Sequence, residues 1–172
     1  FLKEKYNLLH ISTGDLFRFN IQHGTDLGKL AQSFIDQGDL VPDSVTINML
    51  EAEVDKHPEA KGFIFDGFPR TTDQAKALDE FLEKKQMPIT ATIALEADDD
   101  RLVERLLQRG QTSGRTDDQD EEKIRNRFQE YNLKTAPLRS YYEAQNKFHS
   151  IDGIGTIEEI TDRLTAVIDH FL

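Results

Sequence analysis

Four short apolar runs, each halted by polar or turn-forming residues and each followed by a stretch of helical period, constrain this chain more than any other feature. Leu8-Leu9-His10-Ile11 stops at Ser12-Thr13-Gly14, and Phe63-Ile64-Phe65 stops at Asp66-Gly67-Phe68-Pro69. A third run lies within Ile89 to Leu95, with β-branched Thr90, Thr92 and Ile93, and a fourth spans Phe148 to Ile151 before Asp152-Gly153. Runs of strand length that are apolar throughout suit a sheet buried on both faces. Helices are predicted over Asp15–His23, Leu27–Gln37, Asp43–Lys56, Thr72–Gln86 and Glu121–Lys134, with Pro137 placed to open a further one. Leu102, Val103, Leu106 and Leu107 form one apolar stripe, and Ile157, Ile160, Leu164, Val167, Ile168 and Phe171 form another. Thr156-x-x-Glu159 reads as a capping box at the start of the last helix. The alternation predicts an α/β fold, a mostly parallel sheet flanked by helices in one domain. Two segments stand outside it. Residues 12–61 are too long for one crossover and are expected to form a small helical lobe, and Gly110 to Asp120, polar and aperiodic, is expected to be a mobile loop.

Charge and cysteine usage exclude several classes. With 21 Lys+Arg against 32 Asp+Glu the net charge is −11, which opposes nonspecific binding to a phosphate backbone but not a small anion in a local basic pocket. The absence of cysteine rules out disulfides, thiolate zinc sites and a cysteine nucleophile. No apolar run approaches the ~20 residues that span a bilayer. Phe1-Leu2-Lys3-Glu4-Lys5-Tyr6 has no leader character, so an intracellular, soluble protein is expected. Because the chain starts at Phe1 rather than Met, further residues are expected upstream.

Three constellations could carry chemistry. Arg18, Arg70, Arg105, Arg109, Arg115 and Arg127 fall near strand C-termini or around the polar loop, the edge where parallel α/β sheets bind ligands, and arginine grips phosphate bidentately. Arg101, Arg105 and Arg109, at i, i+4 and i+8, share one helix face and need a polyanion or acidic partners; a solvated face of weak ion pairs is the competing reading. Asp66-Gly67-Phe68-Pro69-Arg70 could place a carboxylate for hydrated magnesium, a close backbone approach and an arginine in one crevice, or could be only a strand-to-helix turn. Ser12-Thr13-Gly14-Asp15 opens a helix with free N–H groups and a hydroxyl, or is a simple N-cap. Gln74 has a bland role as well, since Thr71-x-x-Gln74 is itself a capping-box pattern. His10, His23, His57, His149 and His170 lack metal-ligand spacing and read as structural or surface residues.

In their order and spacing, His10-Ile11-Ser12-Thr13-Gly14-Asp15, Asp66-Gly67-Phe68-Pro69-Arg70-Thr71 and Arg109-Gly110-x-Thr112-Ser113-Gly114-Arg115-x-Asp117-Asp118 resemble the adenylate kinases, a branch of the nucleoside monophosphate kinases. The resemblance runs over residues 1–172 and is to the short-lid form, without the long lid that carries zinc-binding cysteines in some members. It implies a P-loop kinase-like parallel sheet, a nucleoside-monophosphate lobe over 12–41, a short lid over 110–120 and a core formed by the remainder. The implied reaction is reversible phosphoryl transfer from ATP to AMP, giving two ADP, with Mg²⁺ and without zinc. The implied partners are ATP, AMP and ADP, with no nucleic acid or membrane, in a cytoplasmic monomer serving adenine nucleotide homeostasis. Thr13 and Gln74 match residues that read the AMP base, Arg18 and Arg70 those that grip its phosphate, and Gly67, Leu40 and Val41 complete that site. Asp66 matches the carboxylate that orders magnesium water, and Arg105 the residue stacking on the ATP adenine. Arg109, Arg115 and Arg127 match the arginines that close on the transferring phosphates, Gly153, Ile154 and Gly155 the strip along the ATP adenine edge, and Asp117 and Asp118 the lid-hinge carboxylates. Thr13 with Gln74 favours AMP, because the related UMP/CMP kinases typically carry Ala and Asn there.

Two departures from the pattern bear on these assignments. One extra residue at Gln119-Asp120 could shift the Arg127 role to Arg125. The family also opens with a strand and a Gly-rich, Lys-bearing phosphate loop, and no Gly-x-x-x-x-Gly-Lys occurs in the 172 residues. Relative to the family, about twenty residues carrying that central strand and phosphate cradle are missing ahead of Phe1, so the sequence is either an incomplete part of a normal enzyme or a true fragment. Without the strand two half-sheets with open edges would remain, and a molecule ending at Phe1 should fold poorly and be nearly inactive. The alternatives are a kinase for another monophosphate, such as CMP or UMP, and a noncatalytic nucleotide-binding module lacking the phosphate loop.

Overall fold

The structure, a computed structural model, describes residues 1–36, 41–113 and 118–171, apart from the side chains of residues 35 and 36. The fold is α/β, with parallel strands flanked by helices, and the chain divides into two compact units, Phe1–Pro88 and Ile89–Leu172.

The first unit runs α1 (Leu2–Tyr6), β1 (Leu9–Ser12), α2 (Thr13–Gln22), α3 (Asp26–Asp36), α4 (Asp43–Asp55), β2 (Phe63–Asp66) and α5 (Thr72–Lys84). β1 and β2 pair in parallel, with Leu9 opposite Phe63 and Ser12 opposite Asp66. That register brings the two polar strand ends, the first and second motifs, to the same edge. Ser12 stops β1 and caps α2, its extended backbone letting the hydroxyl accept the Asp15 N–H at 3.4 Å. The core is apolar on the inward faces of α4 and α5. Val45, Met49, Leu50 and Val54 are buried on α4, and Ala75, Leu78 and Leu82 at helical spacing on α5. Each fully buried leucine contributes about 1.5–3 kcal/mol.

The second unit runs β3 (Thr92–Glu96), α6 (Asp99–Ser113), α7 (Glu121–Glu143), β4 (Phe148–Asp152) and α8 (Ile157–Asp169). β3 and β4 pair in parallel from Thr92 opposite Phe148 to Glu96 opposite Asp152. Each unit thus holds one two-stranded parallel sheet. The predicted capping box is complete: Glu159 N–H donates to Thr156 Oγ1 at 3.2 Å, and Thr156 N–H to Glu159 Oε2 at 2.8 Å.

Two expectations need correction. The helix predicted over Glu121–Lys134 does not give way to a second one at Pro137; α7 continues through it to Glu143. The N–H that proline lacks would have met Leu133 O, and Leu133 is exposed, so water can solvate that carbonyl, while buried Ile124, Leu138 and Tyr142 hold the helix down on both sides of the proline. The loop expected from Gly110 is helical as far as Ser113. Gly110 is buried there, and a Cβ on it would lie 2.5 Å from Asp118 O, so the returning chain packs on that glycine, while Gln111 to Ser113 at the helix end are exposed. The third strand, Thr92–Glu96, falls on the third run and passes its end by one residue. Among the described residues no helix is long and apolar enough to cross a membrane.

Candidate functional site

Within the first unit, the turn after β2 gathers Thr13, Asp66, Gly67, Arg70 and Gln74. Thr13, buried at the start of α2, donates its hydroxyl to Gly67 O at 3.2 Å and Asp66 O at 3.4 Å. Gly67 adopts φ +74°, and a Cβ on it would meet Thr13 Oγ1 at 3.3 Å and Arg70 Nη2 at 3.4 Å. A left-handed backbone and close neighbours together explain the glycine. Arg70 folds back over the turn, its Nε donating to Gly67 O at 2.9 Å. The Phe68-Pro69 bond is cis.

Gln74 lies on the first turn of α5 and is buried. Only half of the expected capping box forms. Thr71 Oγ1 accepts Gln74 N–H at 3.1 Å, but Gln74 Oε1 takes the Arg70 N–H at 2.8 Å instead of closing on Thr71. The Gln74 side-chain amide donates to Asp43 Oδ1 at 2.6 Å, and Thr71 Oγ1 donates to Asp43 Oδ2 at 3.2 Å. Asp43, the first residue of α4, carries no sequence signal for this contact, because its separation of 31 residues from Gln74 leaves no local pattern to find.

Arg18, on α2, is ion-paired with Asp15 Oδ1, and its guanidinium lies over Gly14. Val41 is half-buried just ahead of α4, whereas Leu40 falls outside the described residues. Asp66 ends β2 with its carboxylate exposed, and His10 Nε2 lies 3.3 Å from Oδ2. The parallel register of β1 and β2, which sets Ser12 opposite Asp66, brings His10 to that carboxylate. A shallow cavity of about 200 Å³ opens beside His10, Asp15 and Phe19.

In the second unit Asp118 organises the arginines. Its carboxylate has no exposed surface, and it accepts from Arg109 Nε at 2.7 Å and Arg127 Nη1 at 3.1 Å, while both guanidinium groups remain about half exposed. α6 delivers Arg109 and α7 delivers Arg127. Arg125 points elsewhere, to Asp100 and Glu121, each at 2.9 Å. Those hydrogen bonds, the one to Asp100 foremost, raise the pKa of an already permanent cation. Arg105 is exposed on α6. Arg115 and Asp117 lie outside the described residues.

The turn after β4 is built from backbone. Gly153 N–H donates to Glu96 O at 2.6 Å and Ile154 N–H to Asp152 Oδ1 at 2.9 Å. Gly155 carries φ +142°. Arg163, on α8 and not foreseen from sequence, donates through Nη1 to Asp152 O at 2.8 Å and Ile154 O at 2.7 Å, pinning the strip from below.

Among the described residues no group of three or more His, Asp or Glu could hold a metal directly. The exposed Asp66 carboxylate fits the other mode, accepting from waters of a hydrated hard cation.

The family model described as Adenylate kinase matches residues 1–147. The chain is 70% identical over 170 residues to a protein named Adenylate kinase from Flavobacterium psychrophilum, covering 99% of this chain and 90% of that one. It is 67% identical, with the same coverage, to one so named from Flavobacterium johnsoniae. A third, from Bacteroides fragilis, is 43% identical over 96% of this chain and 87% of its own length.

Proposed function

That the chain belongs to the adenylate kinase family is the premise from which we propose how its residues share the work of phosphoryl transfer. The reaction is the reversible conversion of ATP and AMP into two ADP. A phosphate oxygen of AMP attacks the ATP γ-phosphorus, and the bond from that phosphorus to the β,γ-bridging oxygen breaks, so that the electron pair leaves on ADP. Such a transfer needs little covalent help. It needs the two oxygens in line, positive charge around the equatorial oxygens, and exclusion of water.

The first unit supplies the acceptor site. Thr13 and Gln74 read the base, Gly67 and Val41 with Leu40 shape the cradle, and Arg18 and Arg70 grip the phosphate. The observation that carries this reading is the buried, fully oriented Gln74 amide beside Thr13, Gly67 and Arg70. Among the described residues, one N–H and one lone pair of that amide have no protein partner, and adenine offers the matching acceptor and donor at N1 and N6. The second unit supplies the donor side. Arg105 stacks on the ATP adenine, the Gly153-Ile154-Gly155 backbone borders its edge, and Arg109, Arg115 and Arg127 neutralise the transferring phosphates. Asp118, with Asp117, holds the arginines at the lid hinge. Magnesium, when bound with ATP, would supply charge neutralisation of the phosphates, and Asp66 would hold its water. None of the 172 residues matches the family's Gly-rich phosphate loop. The reading takes 12–41 as the acceptor lobe and 110–120 as the lid of one kinase domain, in a cytoplasmic monomer without nucleic-acid or membrane partners.

Acceptor comparison tests it. ADP formation from ATP is measured with AMP, CMP, UMP and GMP in turn. AMP is expected to lead by a wide margin in kcat/KM, and equal or faster use of CMP would overturn the assignment of the base-reading residues.

A further inference from the structure

An amide that reads a base is only as selective as it is unable to turn over. A glutamine has two donors on nitrogen and two lone pairs on oxygen, and flipping it exchanges the two ends in place. Buried Gln74 is held at both. Its Oε1 accepts the Arg70 backbone N–H at 2.8 Å, a group that can only donate. Its Nε2 donates to Asp43 Oδ1 at 2.6 Å, and a carboxylate can only accept. A flipped amide would set oxygen against carboxylate and N–H against N–H. Asp43 is itself fixed, because its other oxygen accepts the Thr71 hydroxyl at 3.2 Å and its charge lies at the N-terminus of α4, where the helix dipole favours an anion. The ring closes through Thr71, whose Oγ1 accepts the Gln74 N–H at 3.1 Å.

The unused N–H and lone pair of Gln74 therefore have a fixed order. A 6-aminopurine presents an N6–H donor beside an N1 acceptor; a 6-oxopurine presents the reverse, an O6 acceptor beside an N1–H donor. We propose that Asp43 is a specificity-determining positioning residue, which locks the Gln74 amide in the orientation that accepts 6-aminopurine monophosphates and rejects 6-oxopurine ones. The proposal rests on Gln74 being the base reader. Asp43 does not touch substrate. It acts through Gln74, so it bears on acceptor choice and acceptor KM rather than on the transfer step.

Steady-state kinetics with AMP and IMP as acceptors, which differ at the 6-position and at N1, test this in Asp43→Asn, Asp43→Ala and Gln74→Ala. Asp43→Asn can turn either end of its own amide to Gln74, so the AMP/IMP ratio of kcat/KM is expected to fall severalfold, mainly through better use of IMP. Asp43→Ala removes the anchor, and the ratio is expected to fall about tenfold through a higher KM for AMP. In both variants kcat at saturating AMP and the KM for ATP should stay within about twofold of wild type, a split that loss of folding would not produce. Should Asp43→Ala fold poorly, the near-isosteric Asn variant still decides. If Gln74→Ala collapses the ratio while the Asp43 variants keep it, the locking role of Asp43 is overturned. If Gln74→Ala also keeps it, Gln74 is not the base reader, and the proposal fails for that separate reason.

Discussion

Arg109 and Asp118 form a closed pair in which Nε and Nη2 of the arginine lie 2.7 and 2.6 Å from the same carboxylate oxygen, Oδ2. The carboxylate is wholly buried, while the arginine side chain keeps 42% of its surface exposed. The opposite oxygen holds Arg127 Nη1 at 3.1 Å. One buried anion thus fixes two cations drawn from different helices, each with about half of its side chain exposed. Asp118→Ala would leave the two guanidinium groups repelling one another. Because both are half exposed, water offsets much of the loss, and a destabilisation of about 1–3 kcal/mol is expected. Turnover should fall at least tenfold, since the arginines lose their fixed direction. Thermal unfolding and kcat measured on the same sample check both, and wild-type turnover in a folded Asp118→Ala protein would remove the pair from the phosphate-binding machinery.

The extra residue at Gln119-Asp120 made Arg125 and Arg127 competing candidates, and their partners now differ in kind. Arg127 shares the buried Asp118, whereas Arg125 bonds the exposed carboxylates of Asp100 and Glu121. Exposed pairs of that sort contribute little. Arg125→Ala is expected to stay within about 0.5 kcal/mol of wild type in stability with unchanged kcat, while Arg127→Ala loses most of its turnover at unchanged KM for AMP. The reverse pattern would move the phosphate contact to Arg125.

These particular residues show what the sequence could and could not disclose. The strands were legible because an apolar run ended by Asp-Gly or Ser-Thr-Gly has few other uses, and the α8 start because a capping box is written within four residues. Pro137 misled because local sequence reports the lost N–H but not the buried Ile124, Leu138 and Tyr142 that hold α7 down on both sides of it. Gly110 misled in the same way: a glycine followed by polar residues reads as a loop, and only the approach of Asp118 explains a buried helical glycine. Asp43 and Arg163 were invisible for a related reason. Each acts on a partner brought near by folding, Gln74 from 31 residues away and Ile154 from nine, and a spacing rule of three or four residues does not reach them.

Gly67 sits where backbone shape and the proposed acceptor site meet. Its φ of +74° and the 3.3–3.4 Å distances from a hypothetical Cβ to Thr13 and Arg70 mean that Gly67→Ala would strain the turn and push on both side chains. A stability loss of about 1–2 kcal/mol is expected from the left-handed backbone alone. The KM for AMP should rise severalfold with the KM for ATP unchanged, because the displaced groups belong to the proposed acceptor site. Calorimetry with AMP and initial-rate kinetics check this, and a variant that loses stability yet keeps its AMP affinity would confine Gly67 to a structural role.

The strip after β4 offers a control within one helix. Arg163 and Thr156 both belong to the region of α8, but they do different things. Thr156 caps the helix reciprocally with Glu159, whereas Arg163 donates to the Asp152 and Ile154 carbonyls at 2.8 and 2.7 Å. Thr156→Ala is expected to cost about 1 kcal/mol and leave both KM values in place. Arg163→Ala frees two carbonyls and loosens the backbone proposed to border the ATP adenine, so the KM for ATP should rise several-fold while the KM for AMP holds. Measuring both variants by thermal unfolding and by ATP titration separates helix stability from strip geometry. An equal rise in ATP KM for the two would mean that α8 as a whole, and not the Arg163 contact, sets the strip.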